Sequence, residues 1–229
     1  MIELLIPVLG RPKNAQPLVE SIHANTEEDH RIVFLVTPGD DEQIEACKGT
    51  GSVVWIVHGD DHQYPRKINA GARLRIGNTP PDFIFIGGDD LFFHRGWDTA
   101  AIDLFHETGK PVIGTNDLGN PTVIAGKHAT HSLVHRSYLE LGTIDEPHNL
   151  LHEGYHHNFC DTEFIETAMM RDAFAFAFDS HVEHLHYLWR DKRGKPKGVR
   201  DVIYEKGQKE FHRDAALFKA RRRRWRERA

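Results

Sequence analysis

The stretch DFIFIGGDDLFFHRGW, Asp82 to Trp97, runs an apolar segment into two glycines and then two adjacent aspartates. Asp89 and Asp90 repel each other, so a bound cation would reward their charge; solvation at an ordinary loop is the alternative. Hard divalent ions such as Mg²⁺ and Mn²⁺ prefer carboxylate oxygens and often share their shell with substrate phosphates. In a strand-to-loop turn, one carboxylate can bind the ion while its neighbour holds waters or hydroxyls. Gly87 and Gly88 let the backbone approach a ligand closely. The other acid pairs, Asp40–Asp41 and Asp60–Asp61, are expected to be mostly solvated.

Seventeen histidines widen the choice of ligands. His184 and His186, in VEHLH, have strand spacing and point the same way; neutral imidazole suits Mn²⁺. His128, His131 and His135 have helical spacing, and His148, His152, His156 and His157 crowd one loop. None of these spacings is diagnostic of zinc, and no cysteine pair supports it. Asp161 opens the segment DTEFIETAMMRDA as a plausible helix N-cap. Glu163 follows two residues on, and residues two apart on a helix do not share a face.

These groups need a scaffold. Short apolar runs alternate with helical patterns through the first half. IELLIPV, RIVFLV, SVVWIV, DFIFIG and KPVIGT read as strands; RPKNAQPLVESIHAN, DDEQIEACK, PRKINAGARLRI and GWDTAAIDLFHE read as helices. That pattern predicts an α/β fold with a mostly parallel sheet and helices on both faces. A ligand then belongs at the carboxyl ends of the strands, where VLGRP, TPGDD, HGDD and GGDD gather. After Asp117 the pattern changes, until FAFAFD alternates as a half-buried strand. Phe211, Ala215, Phe218 and Trp225 form one stripe of a final helix.

Apolar residues make up 39% and charged residues 28%, which suits a globular chain. No apolar run is long enough to span a bilayer, and MIELLIPVLGRP lacks the basic stretch and cleavage site of a signal peptide. Cys47 and Cys160 read as reduced thiols, so a cytoplasmic protein is expected. Residues 1–189 carry 13 Lys/Arg against 28 Asp/Glu, a balance of −15, while residues 190–229 carry 16 against 6, or +10. An acidic body with a basic tail points to a polyanionic partner or to a tail docking on its own body.

The order IPVLGRP, KINAGARL, FIFIGGDDLFFHRGW, CDTEF and VEHLH resembles the glycosyltransferases of the GT-A fold, close to the family 2 type. The resemblance covers residues 1–190, with a nucleotide-sugar-binding half at 1–116 and an acceptor half at 117–190. Residues 191–229 are left as a basic helical extension. The resemblance implies a metal-dependent, inverting transfer of a sugar from a nucleotide-diphosphate sugar to a hydroxyl acceptor. It implies that Pro7, Leu9 and Arg11 form the nucleotide-binding turn, that Asp40 contacts the base or ribose, and that Lys67, Asn69 and Gly71 lie along the nucleotide sugar. It makes Asp90 and His184 ligands of Mn²⁺ or Mg²⁺, Asp89 a sugar or outer contact, and Asp161 the catalytic base. Two departures stand out: Gly88 replaces the first acid of the Asp-x-Asp motif, and Cys160 stands where the family has Glu. Lys67, Asn69 and Gly71 share no single helical face, so they act together only if the helix begins there with its first amides aimed at the ligand.

The acceptor is open among a nucleic acid, a protein and a small molecule. Asp117, Asn120, Tyr155, His157 and Asn158 are polar or aromatic groups suited to it. The tail KARRRRWRER, with a tryptophan able to stack, fits a hydroxylated nucleic-acid base; a solubilising helix is the plain alternative. A competing reading is a nucleotide- or nucleic-acid-binding module that keeps the fold without turnover, favoured by the acid missing at Gly88. A nucleotidyltransferase is disfavoured, because PVLGRPKN lacks its glycine-rich basic signature.

Overall fold

The first apolar run becomes a strand because it is covered on both sides. In a computed structural model, which describes residues 1–59 and 63–226, β1 (Ile2–Pro7) is buried throughout. Ile2, Leu4 and Ile6 enter one core and Leu5 the other, the alternation that a strand imposes. Glu3 is the polar exception; its carboxylate accepts from Arg31 Nε at 3.0 Å, so the buried charge is paired. The pair Asp60–Asp61 lies outside the described residues.

The chain continues through α1 (Ala15–Asn25), β2 (His30–Val36), α2 (Asp41–Gly49), β3 (Val53–Ile56), α3 (Tyr64–Ala72) and β4 (Phe83–Ile86). Then come β5 (Leu91–Phe93), α4 (Trp97–Thr108), β6 (Val112–Asn116), α5 (Pro121–Ile124), β7 (Ser132–His135), α6 (Cys160–Met170), β8 (Phe174–His184) and α7 (Val202–Arg226). The strands make one sheet in the order β3-β2-β1-β4-β7-β6-β8-β5. Helices cover both faces. Leu18 of α1, Ile44 of α2 and Trp97 of α4 pack in one core; Ile68 of α3 and Phe164 of α6 pack in the other, with Leu217 and Phe218 of α7 against it.

Among the described residues the sheet is mixed, with four parallel pairings and three antiparallel ones. β3, β2, β1 and β4 are parallel neighbours. Beyond β4 the strand β7 enters antiparallel to both β4 and β6. β8 then runs parallel to β6 and antiparallel to β5. His131 therefore precedes β7 and His135 ends it, and the helical reading of His128, His131 and His135 does not hold. Topology places the carboxyl ends of β1 and β4 side by side, and the turns leaving them build the site.

Candidate active site

Two glycines shape the acid turn after β4. A Cβ on Gly87 would lie 2.7 Å from Ile6 Cδ1 and 3.3 Å from the Leu5 carbonyl oxygen, so glycine eases the close approach of β4 to β1. A Cβ on Gly88 would lie 3.4 Å from Asp90 Oδ1 and 3.7 Å from His131 Nε2. Gly88 thus faces the acid and an imidazole at ordinary contact distance, where a first acid of the motif would stand. Tyr64, at the start of α3, donates to the Gly87 carbonyl at 2.9 Å and fixes the turn from below.

Asp89 and Asp90 then diverge in partners. Arg11 Nη1 donates to Asp89 Oδ1 at 3.0 Å and lies 3.6 Å from Asp90 Oδ2. Asp90 Oδ2 accepts from Tyr204 Oη at 2.5 Å and lies 3.4 Å from His184 Nε2. Burial and the charge of Asp90 push the Asp89 carboxyl up, against the pull of Arg11. Burial also opposes charge on Asp90, but His184, Tyr204 and Arg11 outweigh it and hold its carboxyl below the usual range. Burial and His184 lower His131 to about 3, leaving a neutral imidazole beside the acids.

Asp161 reaches the same cleft from α6. The structure corrects its expected place as N-cap: the cap is Phe159, and Asp161 is the second residue of the helix. Phe159 has φ of 65°, a left-handed backbone that costs a non-glycine residue on the order of 1–3 kcal/mol. α7 holds this turn. Phe218 stacks on Phe159 with centroids 5.3 Å apart, and Asp214 accepts the amides of His156, His157 and Asn158 at 3.0, 3.0 and 2.8 Å. Asp161 Oδ2 accepts from His128 Nε2 at 3.2 Å. Surroundings that desolvate the carboxylate disfavour its charge, yet the hydrogen bond and charge of His128 prevail and its pKa is lowered.

Arg11, Asp90, Asp161 and His184 line one cleft of about 560 Å³ at the carboxyl ends of the strands. Pro7, Leu9, Lys67, Asp89 and His186 line it too. Lys67 is buried and donates to the Val8 carbonyl at 2.6 Å, which ties α3 to the turn after β1. Three expected contacts fall elsewhere. Asn69 donates to the Leu151 carbonyl at 2.7 Å and accepts its amide at 3.1 Å, so it pins a loop. Gly71 lets α3 pack on the sheet, since a Cβ there would lie 2.9 Å from Leu5 Cδ2. Asp40 accepts the Gly10 amide at 2.7 Å and braces the turn before Arg11. Of the suggested acceptor groups, Tyr155 is fully buried with its hydroxyl on Glu163 at 2.7 Å, and Asp117 caps the loop amides of Gly119 and Asn120.

The expected extension at 191–229 is part of the site. Asp201 takes Arg11 bidentately, at 2.7 Å to Nε and 3.0 Å to Nη2. Tyr204 lies 4.2 Å under the Arg11 guanidinium. Nothing in DVIYEKG marks these two residues, because their partners lie more than a hundred positions away.

Two arginines of the tail turn inward, while Arg223 and Arg224 stay exposed. Arg221 donates to Glu163 at 2.7 Å and to Asp145 at 2.7 Å, and Arg222 pairs with Glu166 at 2.7 Å. Trp225 is 2% exposed. Part of the tail's charge is therefore met by acids of the body. Arg221→Ala leaves Glu163 buried without its cation, which costs about 3–5 kcal/mol; thermal melting should show a drop of several degrees or more, and an unchanged midpoint would contradict the buried pair.

Comparison with known proteins now bears on this geometry. No protein-family model and no curated protein sequence matches the chain. Solved structures do. S. aureus TarS 1–349 in complex with UDP superposes with a TM-score of 0.61 at 13% identity, over 79% of this chain and 59% of that one. The mannosyltransferase PcManGT from Pyrobaculum calidifontis, in complex with GDP-Man and Mn²⁺, gives 0.61 at 13% identity, over 84% and 58%. Glucosyl-3-phosphoglycerate synthase from Mycobacterium tuberculosis, with Mn²⁺ and UDP-Glc, gives 0.55 at 13% identity, over 77% and 68%. This is the GT-A fold. The chain spans less than three-fifths of the first two neighbours. Among the described residues, no helix is long and apolar enough to cross a membrane.

Proposed function

We propose that the chain transfers a sugar from a nucleoside diphosphate sugar to a hydroxyl acceptor, with inversion at C1. The observation that carries this reading is the convergence of Arg11, Asp90 and His184 with Asp161 on one cleft. The fold neighbours crystallised with UDP, GDP-Man and UDP-Glc support the donor class.

A divalent ion fits the residues present. Asp90 Oδ2 and His184 Nε2 offer one hard carboxylate and one imidazole 3.4 Å apart. Among the described residues no third protein ligand joins them. Such a sparse set suits Mn²⁺ or Mg²⁺ whose other positions go to diphosphate oxygens. Bound there, the ion would neutralise charge on the departing diphosphate.

The remaining chemistry belongs to the chain. Arg11 and Lys67 bring positive charge to the same wall, a preorganised electrostatic stabilisation of the leaving group. Asp161 takes the acceptor proton as the acceptor oxygen bonds to C1 and the bond from C1 to the diphosphate oxygen breaks. Its electron pair leaves with the nucleoside diphosphate. A carboxylate is a weak base near neutrality, so it accepts the proton late, as the attacking oxygen becomes acidic. The cleft holds donor and acceptor together, which supplies proximity.

For the acceptor, Arg221 and Arg222 pair inward while Arg223 and Arg224 of the same run stay exposed, so the tail does not select the acceptor class. The acceptor is proposed only as a hydroxyl compound. The decisive assay is nucleoside diphosphate release from a panel of UDP- and GDP-sugars with Mn²⁺. Release that EDTA abolishes supports the proposal; no release from any donor favours a binding module on the same fold.

A further inference from the structure

The Asp161 carboxylate has a partner with no place in the transfer step described above. We infer that His128 is the positioning residue of the base, clamping one oxygen of Asp161 so that the other meets the acceptor. This rests on the reading of Asp161 as base.

The geometry separates the two roles. Asp161 lines the cleft and His128 is not among the lining residues. The Asp161 side chain is 32% exposed against 15% for His128, so the carboxylate is the front group and the imidazole stands behind it. His128 comes from the loop after α5, 33 positions before Asp161, and its Nε2 holds Oδ2 at 3.2 Å. Oδ1 meets the Thr162 hydroxyl at the long distance of 3.4 Å, and the Thr162 amide also bonds to the carboxylate. An exposed pair of this type would contribute little. Here the pair is partly buried at a helix N-terminus, which also favours the ionised carboxylate.

The charged neighbours are consistent with a cationic clamp. His128 faces Asp161, Asp117 and Glu166, whose charges outweigh the effect of burial and raise its pKa. Asp161 is faced by His128 and His157, while His131 and His184 sense it from just before β7 and from β8, and Tyr64 and Cys160 from α3 and its own helix. In the transfer step the acceptor proton moves to Oδ1 as the new bond to C1 forms and the diphosphate leaves with its electron pair. His128 neither gains nor loses a proton in that step. This arrangement follows the general design in which a base is oriented by a third group.

The test uses the full chain and a donor hydrolysed with water as acceptor, UDP-glucose or GDP-mannose with Mn²⁺, in wild type, His128→Ala, His128→Gln and Asp161→Asn. His128→Ala is expected to lower kcat about 10- to 100-fold, as for outer partners that orient functional ligands, with donor KM within twofold. Because the charge of His128 lowers the Asp161 pKa, its loss moves the acid limb of kcat to higher pH. His128→Gln keeps an N–H donor without the charge; it should recover most of kcat well above that limb, with the limb still displaced. An unchanged kcat and limb in His128→Ala overturns the inference, as does a loss confined to KM or an equal fall in melting temperature and rate for both His128 variants. If Asp161→Asn turns over like wild type, or wild type releases no diphosphate, the reading of the base itself fails. If Asp161→Asn is inactive while His128→Ala matches wild type, only the inference about His128 fails.

Discussion

Asp161→Asn should leave donor binding intact and cut transfer by about 10²- to 10⁴-fold, the range over which positioned general bases act. The amide is nearly isosteric, so it can keep the contact with His128 and the start of α6. What it loses is the capacity to take a proton. Calorimetric titration with UDP and Mn²⁺ should therefore match wild type while turnover collapses. Structural damage would instead lower both together. Turnover within a few-fold of wild type would remove Asp161 as the base and turn attention to another group of the cleft wall. Glu163 is a poor substitute, because its carboxylate is 3% exposed and held by Arg221 and Tyr155.

Asp90→Ala is expected to abolish metal-dependent donor binding. Asp90 supplies the carboxylate of the sparse ligand pair, and His184 alone offers one neutral donor. Binding of UDP should fall at least tenfold and lose its response to Mn²⁺. Asp90 also accepts from Tyr204, so the substitution could act by loosening α7. Tyr204→Phe removes that hydrogen bond and keeps the acid. It should retain Mn²⁺-dependent binding; a loss equal to that of Asp90→Ala would assign the effect to α7 and contradict the metal role.

Much of the parallel half of the sheet was legible because its strands are continuous apolar runs bounded by glycine and proline, buried on both faces. β5 and β7 were not, being three and four residues long and set among glycines and histidines. Their absence from the reading made the sheet look parallel. The acid turn and His184 could be placed together only through the family resemblance; spacing says nothing of residues 94 positions apart. Asn69 and Gly71 show the limit of a motif read along one segment. They stand two and four residues from Lys67, yet a helix turns them onto a loop and a strand. The stripe of Phe211, Phe218 and Trp225 was visible in α7, whereas Tyr204 and Asp214 carry no local signal because each acts through a fold-level contact, and Asp201 reads locally only as the cap of α7. The opposite charges of body and tail were legible, and the ion pairs of Arg221 and Arg222 show part of the tail docking on its own body.

A crystal grown with Mn²⁺ and UDP or GDP tests the central assignment most directly. The account predicts anomalous density for manganese between Asp90 Oδ2 and His184 Nε2, with the pyrophosphate on the metal, Arg11 beside it, and Asp161 facing the remaining space. Nucleotide bound elsewhere on the chain, or in this cleft with both side chains turned away from the ion, would contradict it.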